Sequence, residues 1–269
     1  MSLGDRMKLY ERREAGRRAM PLLPICARID GKRFSRWTDG LARPYDERLS
    51  ALMQQVTTQL VGETQAVIGY TQSDEISLVF HTTTLAAQPF MDGRIQKLTS
   101  TLASMTTAWF NAGVAERLPE RRDQPALFDC RVWTVPNPEE AANTLLWRER
   151  DATKNAISMA ARHYYTHDEV MGCSSGQQQE LLFRAGVNFN DYPPFFKRGC
   201  FVQRREVQRP FSAEEIELLP PQHAARRDPD LMVSRSHVER IDMPPFDQVI
   251  NRVAVVFEGA EPQVAQSSD

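Results

Sequence analysis

The chain has 269 residues, of which 41% are hydrophobic and 25% charged, and these ordinary globular values exclude a chain that is disordered throughout. The 33 Lys and Arg residues against 35 Asp and Glu give a formal net charge of −2, which excludes the global positive field of a nonspecific nucleic-acid binder but not a local basic patch. No stretch approaches the ~20 apolar residues of a membrane span, and the four cysteines lack metal-ligand spacing, so we expect a cytoplasmic protein without a membrane partner.

The first half of the chain alternates strand-like and helix-like segments. An apolar run from Leu22 predicts a buried strand that ends at the Asp30-Gly31 turn. The elements predicted next are a helix opened by Pro44 and Asp46, a hairpin over 66–80, a helix over 94–112 and a strand over 128–135. This order is the βαββαβ plan of a ferredoxin-like domain, so the predicted fold class is α+β.

The second half of the chain has a less regular pattern. Asn137 and Pro138 predict the start of a long helix that reaches about Tyr165. The segments predicted after it are a short capped helix from Thr166, a helix over 177–185, an extended and partly exposed stretch over 187–202, a last strand over 253–257 and a frayed tail over 260–269.

Acidic residues stand at the ends of the predicted strands. Asp30 ends the first strand, and Asp74 and Glu75 occupy the turn between the second and the third. In a βαββαβ sheet the first and third strands are antiparallel central neighbours, so Asp30 and Asp74 should meet at one edge. Two carboxylates held together repel unless a cation lies between them, and Mg²⁺ favours one or two carboxylates with waters and phosphates. This is the arrangement of two-metal phosphoryl transfer, although ordinary polar turns remain an alternative.

Basic residues surround the same edge. The run from Gly31 to Ser35 follows Asp30, and its glycine lets the backbone approach a phosphate closely. Arg28 should point to the same side of the sheet as Asp30, and Arg43, near the next helix, either meets a triphosphate or is simply solvated. The run Phe195-Phe196-Lys197-Arg198 suits RNA binding, and it equally suits a loop whose aromatic rings fill the core.

Together these segments resemble the tRNA-His guanylyltransferase family, including its broader 3′–5′ RNA polymerase-like members, over about residues 5–202. The motifs that carry the resemblance are RIDGKRF (28–34), ARPYDER (42–48), YTQSDEISLVF (70–80), FDCR (128–131), WR (147–148), ELLF (180–183) and KRG (197–199). The run Gln72-Ser73-Asp74-Glu75, combined with RIDG at the family's spacing, is the most specific part.

The resemblance implies a palm of the polymerase and cyclase type, with additional helices and a C-terminal extension. On the matching positions it makes Asp30, Asp74 and Glu75 catalytic, with two Mg²⁺ ions bound by the two aspartates and the Gly31 carbonyl. The residues implied to hold the nucleotide are Arg28, Gly31, Lys32, Arg33, Phe34, Ser35, Arg43, Ser73 and Lys97. Those implied to contact RNA are Lys154, Asn155, Lys197 and Arg198.

The reaction that the resemblance implies adds nucleotides to the 5′ end of tRNA or tRNA-like RNA in the 3′–5′ direction. ATP activates a 5′-monophosphate, and the 3′-hydroxyl of an incoming GTP then attacks it. The implied assembly is a homo-tetramer. We accordingly divide the chain into a palm-like catalytic core (1–135), a helical and extended segment that packs on the palm and contacts RNA (136–202), and a C-terminal extension without an assigned role (203–269).

The chain departs from the family pattern at three places. Thr153-Lys154-Asn155-Ala156 replaces the family's His-Ile-Asn-Asn, and Gln177 and Gln178 replace an Asp-Lys pair. Ser35 stands where a histidine is often found. The first two motifs relate to the tRNA end and its activation, so their loss puts strict tRNA-His recognition and the 5′-activation step in question.

Two other interpretations of the same residues stay open. The palm could serve nucleotide cyclisation or small-molecule nucleotidyl transfer, which the changes at Thr153, Gln177 and Gln178 allow. The chain could also be a non-catalytic RNA-binding module that keeps the fold. The intact residues Asp30, Asp74 and Glu75 argue against the second interpretation, because paired carboxylates are costly to bury without a use.

Overall fold

The computed structural model describes residues 1–228 and 230–265, and a single antiparallel sheet runs through them. Its strands are β1 (Ile25–Gly31), β2 (Ala66–Gln72), β3 (Glu75–Phe80), β4 (Phe128–Thr134), β5 (Cys200–Pro210) and β6 (Met232–Ile241). They lie side by side in the order β4-β1-β3-β2-β5-β6. The first and third strands are therefore central neighbours, as predicted, with Asp30 opposite Glu75 in the pairing of β1 with β3.

Ten α-helices accompany the sheet in the described part of the chain. They are α1 (Leu3–Ala15), α2 (Phe34–Trp37), α3 (Glu47–Glu63), α4 (Ile95–Arg117), α5 (Pro138–Tyr164), α6 (His167–Val170), α7 (Ser175–Arg184), α8 (Pro194–Arg198), α9 (Ala213–Leu218) and α10 (Arg252–Glu258). Two of the predicted helix starts, those of α3 and α5, are capped as their sequence indicates. The Asp46 carboxylate accepts from the backbone N–H of Arg48 at 2.9 Å, and the Asn137 side chain accepts from that of Glu140 at 2.8 Å.

The helices cover the two faces of the sheet and create two apolar layers. On one face α3 and α4 bury residues such as Leu52 and Phe110 against Ile29 and Leu78. On the other face α5 and α10 bury their apolar residues against Tyr70 and its neighbours. A third cluster joins the second half of α5 to α7 and α8. The order β1-α3-β2-β3-α4-β4 confirms the predicted α+β, ferredoxin-like βαββαβ plan.

Three predictions for the second half were wrong. Residues 253–257 lie in α10 and not in a strand, because Val255 and Val256 pack against the core and Gly259, at φ +69°, ends the helix. Residues 187–202 are not extended throughout, since α8 and a 3₁₀ turn (Phe189–Asp191) bring Phe189 and Phe196 into the core. The predicted frayed tail is ordered over residues 260–265, where Gln263 accepts from the Ile250 amide, and residues 266–269 lie outside the described residues.

The C-terminal part of the chain is continuous with the core. The boundary placed before residue 203 falls inside β5, which pairs with β2 through residues 200–203 and with β6 along its length. The Arg204 guanidinium donates to the carbonyl oxygens of Gly62 and Thr64, both at 2.9 Å, at the end of α3. Strands β5 and β6 therefore continue the sheet and pack on α3, and α10 packs on α5.

Candidate functional site

Asp30 and Asp74 meet at the edge of the sheet where β1 ends and β3 begins. Asp30 is the next-to-last residue of β1, and Ser73 and Asp74 form the two-residue turn before Glu75. A Cβ atom on Gly31 would lie 2.8 Å from Oδ2 of Asp74, so the Asp74 carboxylate lies directly against the end of β1. The Ser73 hydroxyl donates to Oδ1 of Asp74 at 3.1 Å. The structure therefore brings together the two aspartates that the sequence analysis paired.

The electrostatics of this edge favour a bound cation. Burial raises the pKa of the Asp74 carboxyl to about 6, and the nearby charge of Asp30 adds to the shift. Among the described residues neither aspartate forms a salt bridge with a basic side chain. No group of three or more His, Cys, Asp or Glu side chains in that part of the chain converges on one point. The two neighbouring carboxylates form an incomplete oxygen donor set, which fits Mg²⁺ with waters and phosphates as its other ligands.

A cavity of about 480 Å³ opens beside the two aspartates. Its wall is formed by the turn before β3 and by one face of the second half of α5. The residues that line it are Asp30, Gln72, Ser73, Asp74, Glu75, Arg148, Asn155, Ser158, Met159 and Arg162. A smaller hollow of about 70 Å³ adjoins it, because Gln72, Ser73 and Met159 line both, and Arg43 lies in this second hollow. The two spaces together follow the turn between β2 and β3.

Glu75 is held by arginines. Arg148 donates from Nε to Oε1 at 2.6 Å and from Nη2 to Oε2 at 2.7 Å, and Nε of Arg28 lies 3.8 Å from Oε2. Burial raises the pKa of the Glu75 carboxyl, while Arg148 opposes that shift. Both carboxylate oxygens of Glu75 are thus in contact with arginines. Glu75 therefore lies at the border of the site and positions the two guanidinium groups.

The loop that follows Asp30 is divided between the surface and the core. Lys32, Arg33 and Ser35 are exposed at this edge. Phe34 is 5% exposed, and its ring stacks on Trp37 with centroids 5.0 Å apart. The Phe34 side chain therefore fills the aromatic core between the loop and α4, and contact of Phe34 with the nucleotide stays a prediction that its backbone would have to meet.

Lys97 lines neither of the two cavities beside the aspartates, and its contact with the nucleotide stays a prediction. It is exposed on the first turn of α4, close to Asp92. The part of α4 that reaches the catalytic edge is near Thr107, whose hydroxyl accepts from the Phe128 amide. The ten residues between Lys97 and Thr107 correspond to about 15 Å along the helix axis.

The residues predicted to contact RNA fall into two groups. Asn155 lines the cavity beside the aspartates, and Lys154 is exposed next to it on α5. Lys197 and Arg198 belong to α8, where Lys197 Nζ donates to the carbonyl oxygen of Asn190. Arg198 lines a separate cavity of about 540 Å³, between α8 and the ends of β5 and β6. The structure does not join the two groups in one pocket.

Sequence reasoning assigned Lys154 and Asn155 of α5 to RNA but missed that α5 also lines the cavity beside the aspartates. Arg148, Asn155, Ser158 and Arg162 recur at spacings of seven, three and four, which place them on one face of a helix. This polar stripe is visible in the sequence. What the sequence does not show is that α5 crosses the sheet with that face over the start of β3.

None of the helices in the described residues is both long and apolar enough to cross a membrane.

Comparisons with known proteins agree with this architecture. A family model described as Thg1, tRNAHis guanylyltransferase, matches residues 4–136. A solved bacterial tRNA(His) guanylyltransferase (Thg1)-like protein in complex with ATP is 35% identical, with a TM-score of 0.71 over 75% of this chain and 88% of that chain. A bacterial Thg1-like protein in complex with GTP is 29% identical, with a TM-score of 0.69 over 92% and 94% of the two chains. The tRNA(His) guanylyltransferase of Saccharomyces cerevisiae is 28% identical over 69% of this chain and 84% of its own.

The antiparallel sheet, with paired aspartates at the end of its central strand, defines an α+β protein of the palm type. The similarity to a solved relative that is 35% identical over most of both chains is more specific than the fold alone. The chain belongs to the tRNA-His guanylyltransferase family, and it is a nucleotidyltransferase.

Proposed function

We propose that this protein is a Mg²⁺-dependent nucleotidyltransferase that adds nucleotides, with GTP as its first choice, to the 5′ end of tRNA or tRNA-like RNA in the 3′–5′ direction. The observation that carries the proposal is the close approach of Asp30 and Asp74 beside an open polar cavity, within a family of this activity. When bound, two Mg²⁺ ions would activate the attacking group and neutralise the leaving group, which is pyrophosphate when ATP adenylylates the RNA 5′-phosphate and AMP when the 3′-hydroxyl of GTP then attacks it.

The chain's own residues supply binding and orientation. Asp30, Asp74 and the Gly31 carbonyl hold the metal ions. Lys32, Arg33 and Ser35, exposed beyond β1, meet the phosphates of the nucleoside triphosphate together with Ser73. Arg43 lines the smaller hollow that Ser73 also lines, which supports a role for Arg43 in holding the phosphates. ATP uses this site for activation of the RNA 5′-phosphate before GTP is added.

Two of the departures from the family motif have structural roles, which favours a wider RNA range than tRNA-His. Gln177 accepts from the Ser174 amide at 2.8 Å and so caps the start of α7. Gln178 accepts from the Ser158 hydroxyl at 2.9 Å and donates to the Cys173 carbonyl at 3.0 Å. Since both amides are used inside the fold, neither supplies the charge that the family's Asp-Lys pair brings to the RNA end.

The test is nucleotide incorporation into a panel of 5′-monophosphorylated and 5′-triphosphorylated tRNA transcripts, intact and 5′-truncated, with each nucleoside triphosphate. Asp30→Asn and Asp74→Asn should each lose at least a thousandfold in incorporation at saturating Mg²⁺. Asp123→Asn, which alters an exposed carboxylate on the loop before β4, is the matched control. Full activity in either aspartate variant refutes the proposal, and a cyclic or dinucleotide product formed without RNA would assign the palm to the alternative chemistry.

We also propose that the protein acts in the cytoplasm as a homo-oligomer, with the tetramer as the expected assembly. Helix α1 has no buried residue, and Leu3, Met7, Leu9 and Tyr10 are each at least 46% exposed on it. Exposed apolar side chains grouped on one helix support a partner surface there. Sedimentation equilibrium of the full chain checks the assembly, and a monomer at micromolar concentration would contradict it.

A further inference from the structure

One part of the sheet is left open beside the catalytic edge. On β4, Asp129 lies opposite Asp30 and Arg131 lies opposite Arg28, so the side chains of these pairs point to the same face. Helix α5 covers this face over β2 and β3, yet Asp129 and Arg131 remain exposed, with 57% of the Arg131 side chain accessible. A strip of β1 and β4 therefore runs along α5 and ends at the aspartates.

Trp147 stands at the margin between this strip and α5. It is 53% exposed, although tryptophan is a side chain that proteins usually bury. The Arg148 guanidinium carbon lies 4.6 Å from the centre of its ring, and that of Arg28 lies 5.8 Å away. Arg148 is hydrogen-bonded to Glu75, and Nε of Arg28 lies 3.8 Å from the same carboxylate. The indole is thus held in place by charged groups of the site while about half of its surface faces outward.

The position of Trp147 decides which reactant it can serve. The loop after β1 turns to the α4 face of the sheet, where Phe34 packs on Phe110. Trp147 and Arg131 lie on the α5 face, on the same side of the sheet as Arg28. Because the triphosphate is held by the loop after β1 in the proposed reaction, the α5 face beside Trp147 is free for the other reactant, which is RNA.

We infer that Trp147 is a base-stacking residue for the RNA strand, which lies along the open strip of β1 and β4 with its backbone near Arg131. This inference rests on the proposed function for the identity of the RNA. An exposed aromatic ring next to positive side chains is the arrangement that binds unpaired nucleotides, since any base offers a π face and each phosphate a negative charge. The ring would hold a base of the unpaired end close to the carboxylates.

The experiment measures RNA binding without turnover. Equilibrium affinity for a 5′-truncated tRNA transcript, in the absence of nucleotide, is compared among wild type, Trp147→Phe, Trp147→Leu and Tyr164→Leu. The last variant removes a similarly exposed aromatic side chain (46%) at the far end of α5 and is the matched control. Trp147→Leu should weaken RNA binding about 10- to 100-fold, Trp147→Phe less than about fivefold, and Tyr164→Leu less than about twofold.

Acrylamide quenching of tryptophan fluorescence gives a second readout. The chain has four tryptophans, and Trp147 is the one with an exposed ring among them. The transcript should protect the wild-type fluorescence from acrylamide, and most of this protection should disappear in Trp147→Phe. Unchanged RNA affinity in Trp147→Leu, or protection that persists in Trp147→Phe, would overturn the inference.

Kinetics separate this inference from other roles of the ring. A raised KM for GTP with unchanged RNA affinity would place the nucleotide base on Trp147 and overturn it. If Trp147→Phe and Trp147→Leu lowered the melting temperature equally and weakened RNA binding equally, the ring would serve only in packing. That result would also overturn the inference. If wild type binds the transcript but adds no nucleotide, the proposed function fails while the binding and quenching results still decide the role of Trp147.

Discussion

The Arg148 guanidinium forms two parallel hydrogen bonds with the Glu75 carboxylate, 2.6 and 2.7 Å long, although the residues are 73 positions apart. The side chains are only 11% and 14% exposed. Removing one partner of such a pair leaves the other charge buried and unpaired, which costs about 3 kcal/mol. Arg148→Met should therefore lower the free energy of unfolding by about that amount, as measured by urea denaturation.

Two further variants test whether the pair itself is responsible. Arg150→Met, on the exposed side of the same helix, should change the free energy of unfolding by less than about 0.5 kcal/mol. The double variant Arg148→Met/Glu75→Gln should be more stable than Arg148→Met alone, because the buried charge is gone. Additive losses in the double variant would show that the two side chains do not stabilise each other.

Gly31 is required by close packing at the catalytic edge. An added Cβ would lie 2.5 Å from the Phe34 ring and 2.8 Å from the Asp74 carboxylate. Gly31→Ala should therefore displace one of these groups, lower stability by about 1–3 kcal/mol and abolish nucleotide incorporation. Gly62→Ala is the control, because nothing lies within 4 Å of its Cβ position on α3, and alanine there should raise stability by up to ~1 kcal/mol. Wild-type incorporation by Gly31→Ala would contradict the close approach of Asp74 to β1.

The paired aspartates could be predicted because local pattern and topology agree there. The alternation through Ile76 and Phe80 identifies a strand, and an apolar run that stops at Asp30-Gly31 identifies another. The βαββαβ order then leaves one arrangement in which these strands are neighbours. The residues between Asp30 and Asp74 had only to form a helix and a strand for the carboxylates to meet.

The rest of the site depends on packing between distant segments, which no local pattern records. In the sequence Phe34 belongs to a run that resembles a phosphate-binding loop, but its ring packs in the aromatic core beside α4. The apolar run 253–257 is too short for its pattern to separate a strand from a helix. In the structure this segment is the helix α10, because it buries one apolar face against α5. Likewise, the role of Arg148 on α5 depends on its hydrogen bonds with Glu75, which lies on β3 of the sheet.

The C-terminal extension is expected to contribute directly to stability. Phe246 is fully buried and its ring lies 5.2 Å from that of Phe201 on β5. Phe246→Ala should lower the free energy of unfolding by about 3–5 kcal/mol. Ile250→Ala, at a position that is 64% exposed four residues later, should change it by less than about 1 kcal/mol. Equal effects of the two variants in urea denaturation would mean that the extension is not part of the folded core.

Glu149 should make the stability of the protein depend on pH. It is 4% exposed and accepts from the Phe246 amide at 2.8 Å, and burial raises the pKa of its carboxyl from 4.5 to about 7. Arg198 opposes this shift, whereas Asp247 adds to it. Between pH 4.5 and 7 the folded state binds more protons than the unfolded state, so the free energy of unfolding falls as pH rises through this window. Above pH 7 the carboxyl is ionised in both states, so the free energy of unfolding falls no further on its account.

Glu149→Gln removes this penalty while it keeps an oxygen acceptor for the Phe246 amide. The variant and wild type should have similar melting temperatures at pH 5, whereas at pH 8 the variant should be more stable by up to ~3 kcal/mol. Differential scanning calorimetry at intervals of half a pH unit measures the difference. Glu139→Gln, an exposed change on the first turn of the same helix, controls for the loss of a negative charge and should follow wild type at every pH. Parallel pH profiles for wild type and Glu149→Gln would show that this carboxyl ionises in the folded protein as it does in water.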